Sequence, residues 1–172
     1  MAGYHQRPSF SRHAEEGAAL DQRQKIHQNR AMSDPSIMKL HLGAALRYEP
    51  FDAAPRPGEN AGRHDTVWAF APESLVRESA DAGPTILRPL PEPSFAGFLE
   101  PGEGVPAFRL PAGDYLFHQW RKAAYACLED GFEDFVRQVW WEGERTEGPW
   151  LLRVVHEDGD VAFQGLRRLS GR

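Results

Sequence analysis

Leu40, Leu42, Leu46 and Tyr48 fall on even positions from Met38 onward, with Lys39, His41 and Arg47 between them, which is the period of a half-buried strand. The Pro- and Gly-rich stretch 50–63 then reads as a long loop. A second apolar run covers 66–71, after which Pro72 can open a short helix carrying Leu75 and Val76 toward a stop at Gly83 and Pro84. Apolar pieces at 85–87 and 95–99 lie among Pro89, Pro91, Pro93, Pro101 and Pro106. Proline removes a ladder donor, so these pieces are expected at sheet edges or in loops. A turn at 111–114 feeds a strand over 115–120 that is aromatic on both faces, as a central strand covered on each side would be.

The strongest periodicity predicts a helix over 123–141, where Ala124, Leu128, Phe132, Phe135, Val136 and Val139 recur at three- and four-residue spacing. Burial of each large member contributes roughly 1.5–3 kcal/mol, enough to outweigh the approximately 1 kcal/mol cost of Gly131 inside the helix. Gly143, then Gly148 and Pro149, end it. Asp158 and Gly159 predict a two-residue hairpin turn between strands at 150–156 and 161–169. That register puts Val154 opposite Phe163 and Leu152 opposite Gly165 on a face toward the helix, with Arg153 and Gln164 sharing the outer side.

The predicted fold class is α+β, a mostly antiparallel sheet packed by one long and one short helix. Both halves, 38–100 and 105–169, can be read as strand, strand, helix, strand, strand, which suggests a duplicated ββαββ arrangement. Residues 1–37 are polar and mixed in charge, with too few large apolar side chains to repay ordering, and are expected to be a flexible tail. Within it, 15–30 could form a transient helix burying only Leu20 and Ile26. Met38 opens a strand at once, so a start at Met38 with 1–37 as an upstream extension is a further expectation. The remaining 38–172 form a single domain.

Cys127 is the one cysteine, which excludes an internal disulfide and a thiolate cluster and fits a reducing, cytoplasmic setting. Neither a signal-peptide core nor an apolar run of membrane-spanning length stands out, so a soluble protein is expected. A formal net charge of -5 argues against a nucleic-acid partner, which would need a basic face.

No reaction chemistry is legible. The chain lacks a Gly-x-Ser-x-Gly nucleophile and a phosphate loop, and Gly102-Glu103-Gly104 reads as a turn. His41, His64, His118 and His156 have no metal-ligand spacing and read first as ordinary strand or loop histidines. Glu129, Asp130, Glu133 and Asp134 read as a solvated helix face, and Cys127 as a small buried residue. No catalytic residue, metal or cofactor is assigned. Five tryptophans are many for this length. Trp68, Tyr115, Phe117, His118, Trp120 and Trp140 are the candidate wall of an apolar or cation-attracting cavity, against the plainer reading of core packing. Trp140 and Trp141 are adjacent on the helix and point about a hundred degrees apart, so one is expected to face a ligand or a partner chain.

Residues 105–117, Val-Pro-Ala-Phe-Arg-Leu-Pro-Ala-Gly-Asp-Tyr-Leu-Phe, resemble the segment of the GyrI-like effector-binding (SHS2-type) family that passes through a Pro-Ala-Gly turn into a strand. The resemblance implies a duplicated sheet-plus-helix module with a concave, aromatic-lined site for small organic molecules, often cationic. The regular terminal hairpin at Asp158-Gly159 departs from the family, and none of these residues is assigned as its pocket carboxylate. The expected function is therefore non-catalytic binding of a small apolar or aromatic ligand. The alternative is a protein-interaction subunit using an aromatic patch near Trp140, Trp141 or Trp150, and the third is a hydrolase or isomerase built on His118 or His156.

Overall fold

The even-position pattern over 38–48 breaks in two, and the break shapes the sheet. The computed structural model describes residues 37–59 and 61–171. In chain order the elements are β1 (Met38–Leu42), β2 (Leu46–Pro50), β3 (Asp65–Phe70), α1 (Pro72–Leu75), β4 (Val76–Ser79), β5 (Gly83–Ile86), β6 (Phe95–Leu99), β7 (Phe108–Leu110), β8 (Gly113–Arg121), a 3-10 turn (Lys122–Ala124), α2 (Leu128–Glu142), β9 (Thr146–Glu157) and β10 (Asp160–Leu169). The tail expected over 1–37 and the transient helix within it lie outside the described residues, except Ile37, which packs on the core.

Eight strands form one antiparallel sheet in the order β1-β8-β10-β9-β3-β6-β2-β7, and β4 and β5 form a separate hairpin. β1 and β2 thus stand six strand positions apart, about 29 Å if the sheet were flat. From Leu42 to Leu46 the chain can reach only about 14 Å. Pro111 and Ala112 likewise join β7 at one edge to β8 beside the other. Both links close only if the sheet curls into a barrel-like half-tube that brings its edges together. One apolar cluster accordingly collects side chains from all eight strands, from Leu40 of β1 to Leu110 of β7, around Tyr48, Tyr115, Phe117, Leu151 and Leu166.

The outer face of the curl is covered by α2. Phe132, Phe135, Val136 and Val139 pack against Trp68, Trp120, Leu152, Val154 and Phe163, with Leu75 of α1 and Ile86 of β5 beside them. Hydrogen bonds from the Ile86 amide to Glu133 Oε2 (3.3 Å) and from Arg137 Nε to the Pro84 carbonyl (3.3 Å) hold the β4–β5 hairpin against the helix flank.

Several expectations need correction. α2 begins at Leu128, and Ala124 is exposed in the 3-10 turn. Tyr125 is extended there, its ring edge-on to Trp120 and its hydroxyl donating to Asp134 Oδ2 at 2.6 Å, so a tertiary contact overrides the helix preference of the alanines around it. Cys127 is exposed at the helix N-terminus and is not a buried filler. The short helix is a single turn, and its expected continuation is β4. β6 lies inside the sheet between β3 and β2, because the prolines around it flank the strand without entering it. Arg153 and Gln164 do share a side, but it is the inside of the curl, where Arg153 Nη1 donates to Gln164 Oε1 at 3.1 Å. Among the described residues the two halves are unequal: 38–100 holds six strands and a one-turn helix, 105–169 four strands and a 15-residue helix.

Candidate functional site

A break in the longest hairpin opens the candidate site. β9 and β10 pair regularly from Asp160↔Glu157 to Leu166↔Leu151, after which the register jumps to Arg168↔Glu147. Gly148, Pro149 and Trp150 therefore stand opposite Arg167 alone. Proline has no amide to give the ladder, and Gly148 at φ +75° takes a conformation few other residues tolerate, so the strand bulges here.

Arg167 stitches the bulge. Its Nη1 donates to the Gly148 carbonyl and its Nε to Thr146 Oγ1 at 3.1 Å, while the guanidinium lies 4.7 Å over the Trp150 ring. The side chain is buried, and that burial pushes its pKa below the usual arginine value, partly countered by Glu147.

Between this bulge and the β7–β8 corner lies a cavity of about 300 Å³ at one mouth of the curled sheet. Phe108, Leu110, Pro111, Tyr115, Pro149 and Leu151 make its apolar wall, and Glu147 and Arg168 its charged rim, while Arg109 of β7 borders it between the inward-facing Phe108 and Leu110. The Tyr115 hydroxyl turns out of the apolar space to donate to the Pro111 carbonyl at 2.7 Å, and burial raises its pKa. Arg168 Nη1 stands 3.5 Å from Glu147 Oε1, both partly exposed. The opposite part of the interior is polar and closed: Arg153 grips Asp65 through Nε (3.0 Å) and Nη2 (2.5 Å), Tyr48 donates to Asp65 Oδ1 (3.2 Å), and Gln164 donates to Gln119 Oε1 (2.9 Å). Burial raises the Tyr48 pKa well above the tyrosine norm. Burial also opposes the Arg153 charge, but Tyr48 and Asp65 more than offset it and the guanidinium stays firmly protonated.

The six residues expected to share a wall stand on both sides of the sheet. Trp68, His118 and Trp120 face α2, with His118 stacked on Trp120 at 5.6 Å, whereas Tyr115 and Phe117 point into the curl. This follows from strand alternation along β8. Of the six, Tyr115 lines the cavity, and Trp140 is 46 % exposed on α2, edge-on to Trp141 at 4.8 Å. His41 pairs with Asp114 at 2.7 Å on the surface. The His156 amide bonds the His64 carbonyl, and burial together with nearby His64 lowers the His156 pKa. Among the described residues no three His, Cys, Asp or Glu side chains gather as metal ligands. No described helix is long and apolar enough to cross a membrane.

Arg168, Glu147, Pro149 and Leu151 escaped the sequence reading, although a signal existed: a Gly-Pro pair just before an apolar alternating run marks a bulge as well as a helix stop. The chain matches no protein-family model and no curated protein.

Proposed function

We propose that the protein is a non-catalytic binding module that holds a small apolar or aromatic molecule in the mouth of its curled sheet. The observation that carries this is the cavity of about 300 Å³ with an apolar wall and a few charged groups at its rim, the common composition of ligand sites in barrel mouths. At about 30 Å³ per water in the liquid, the space equals roughly ten waters, which suits a single-ring compound. The likeness of 105–117 to the effector-binding family points the same way, since Phe108, Leu110, Pro111 and Tyr115 of that segment line the cavity. The one cysteine, exposed and unbridged, supports a reducing compartment such as the cytoplasm.

Amide-resolved NMR titration with a panel of single-ring compounds tests the proposal. Shifts are expected to cluster at Phe108, Tyr115, Gly148, Leu151 and Arg168; a panel that moves none of these resonances would overturn it.

A second reading, protein–protein contact, is favoured by the exposure of Trp140 (46 %) and Trp141 (77 %) side by side on α2.

A further inference from the structure

Resting on the binding reading, we propose that the cavity takes an organic anion: an aromatic or apolar body whose carboxylate, or equivalent acid group, meets Arg168 at the rim. At this mouth Arg168 on the rim and Arg167 buried behind the wall stand against one carboxylate, Glu147, in a protein whose formal net charge is -5. The mouth therefore inverts the sign of the molecule as a whole.

The pairing on Arg168 is exchangeable. A single contact of 3.5 Å between side chains 39 % and 48 % exposed is weakly held, and a guanidinium has five donors to offer a planar acid.

Behind the wall, Arg167 is the second positive charge, and its hydrogen bonds go to neutral groups, Thr146 Oγ1 and the Gly148 carbonyl. The acid next to Tyr115 in the chain, Asp114, is held by His41. A cationic guest, as the family likeness implies, would meet this excess of arginine at close range and low dielectric.

The test uses three probes that share one phenylpropenyl body, cinnamate, cinnamamide and cinnamylamine, titrated into the full chain at neutral pH with binding read by calorimetry and amide NMR. Cinnamate is expected to bind tightest. Arg168→Gln should weaken it about tenfold or more, the loss of a charge-assisted contact of about 1.5–3 kcal/mol, and leave cinnamamide within about twofold. Glu147→Gln, an exposed change that leaves the bulge intact, should tighten cinnamate, so the proposal stays testable if the Arg168 variant does not fold. Equal binding of acid and amide, or preference for the amine, overturns the anion assignment and leaves the cavity reading standing. Silence of all three probes at millimolar concentration overturns both.

Discussion

Gly165 of β10 lies directly beneath the ring of Phe135, so close that a Cβ there would stand 2.5 Å from the ring's Cγ. Gly131, on the same helix, meets Trp120 of β8 in the same way, a Cβ falling 2.6 Å from the indole Cε2. These two contacts set how closely α2 sits on the sheet. Gly165→Ala and Gly131→Ala are each expected to destabilise by about 1–3 kcal/mol through overpacking. The second should do so despite the approximately 1 kcal/mol that alanine gains over glycine in a helix. Urea denaturation of both variants checks this; a stabilised Gly131→Ala would show that the indole moves aside freely.

Asp65 and Arg153 form a largely buried pair, their side chains 10 % and 18 % exposed. Asp65→Asn should cost on the order of 3–5 kcal/mol, because it strands a guanidinium inside the sheet. Replacing both residues together, Asp65→Leu with Arg153→Met, should cost far less than either change alone. A double-mutant cycle in urea gives the coupling, and additive losses would mean the pair does not act as a unit.

Burial raises the pKa values of Tyr48, Tyr115 and Tyr125, with Asp134 adding to the effect at Tyr125. A phenol whose folded pKa is raised keeps its proton after the unfolded chain, with its pKa of about 10, has lost it. Its stabilising contribution is complete below about pH 10 and declines as pH climbs toward the folded value. Melting temperature should therefore fall steadily above about pH 10. Tyr48→Phe should cost about 1 kcal/mol near neutrality and show a shallower alkaline decline; parallel alkaline curves for the two proteins would remove Tyr48 from the account.

Arg167 holds the β9 bulge by three geometrically distinct contacts, to Gly148, Thr146 and the Trp150 ring. Arg167→Lys keeps the charge but cannot reproduce the planar fork. It should lower stability by about 1–3 kcal/mol and shift the Gly148 and Trp150 resonances. An unchanged spectrum would mean the bulge stands without it.

Trp68 is fully buried whereas Trp141 is 77 % exposed. Trp68→Ala should cost about 3–5 kcal/mol, while Trp141→Ala should stay within about 0.5 kcal/mol of the parent. If the exposed pair is a protein contact, Trp141→Ala should also dissociate any oligomer seen by light scattering; an unchanged mass would count against that role.

The amphipathic helix and the terminal hairpin were legible in the chain because their determinants are local. Phe132, Phe135, Val136 and Val139 repeat at helical spacing, and Asp158 at φ +50° with Gly159 at φ +81° builds the turn that the dipeptide announces. The hairpin register followed at once, Phe163 opposite Val154 and Gly165 opposite Leu152. The alternation of Leu40, Leu42, Leu46 and Tyr48 likewise foretold one shared face. What the pattern could not say is that Leu42 and Leu46 belong to strands near opposite ends of the sheet order, since an alternating run reads the same whether the chain continues straight or crosses a closing seam. Only the tertiary structure decided that the sheet curls. Curling turned the side carrying Arg153 and Gln164 from an outer surface into an interior, brought Tyr115 to a cavity that Trp68 and Trp120 do not reach, and set Arg168 at its rim. Those relationships depend on strands far apart in sequence, and periodicity along one segment carries no information about which distant segment lies beside it.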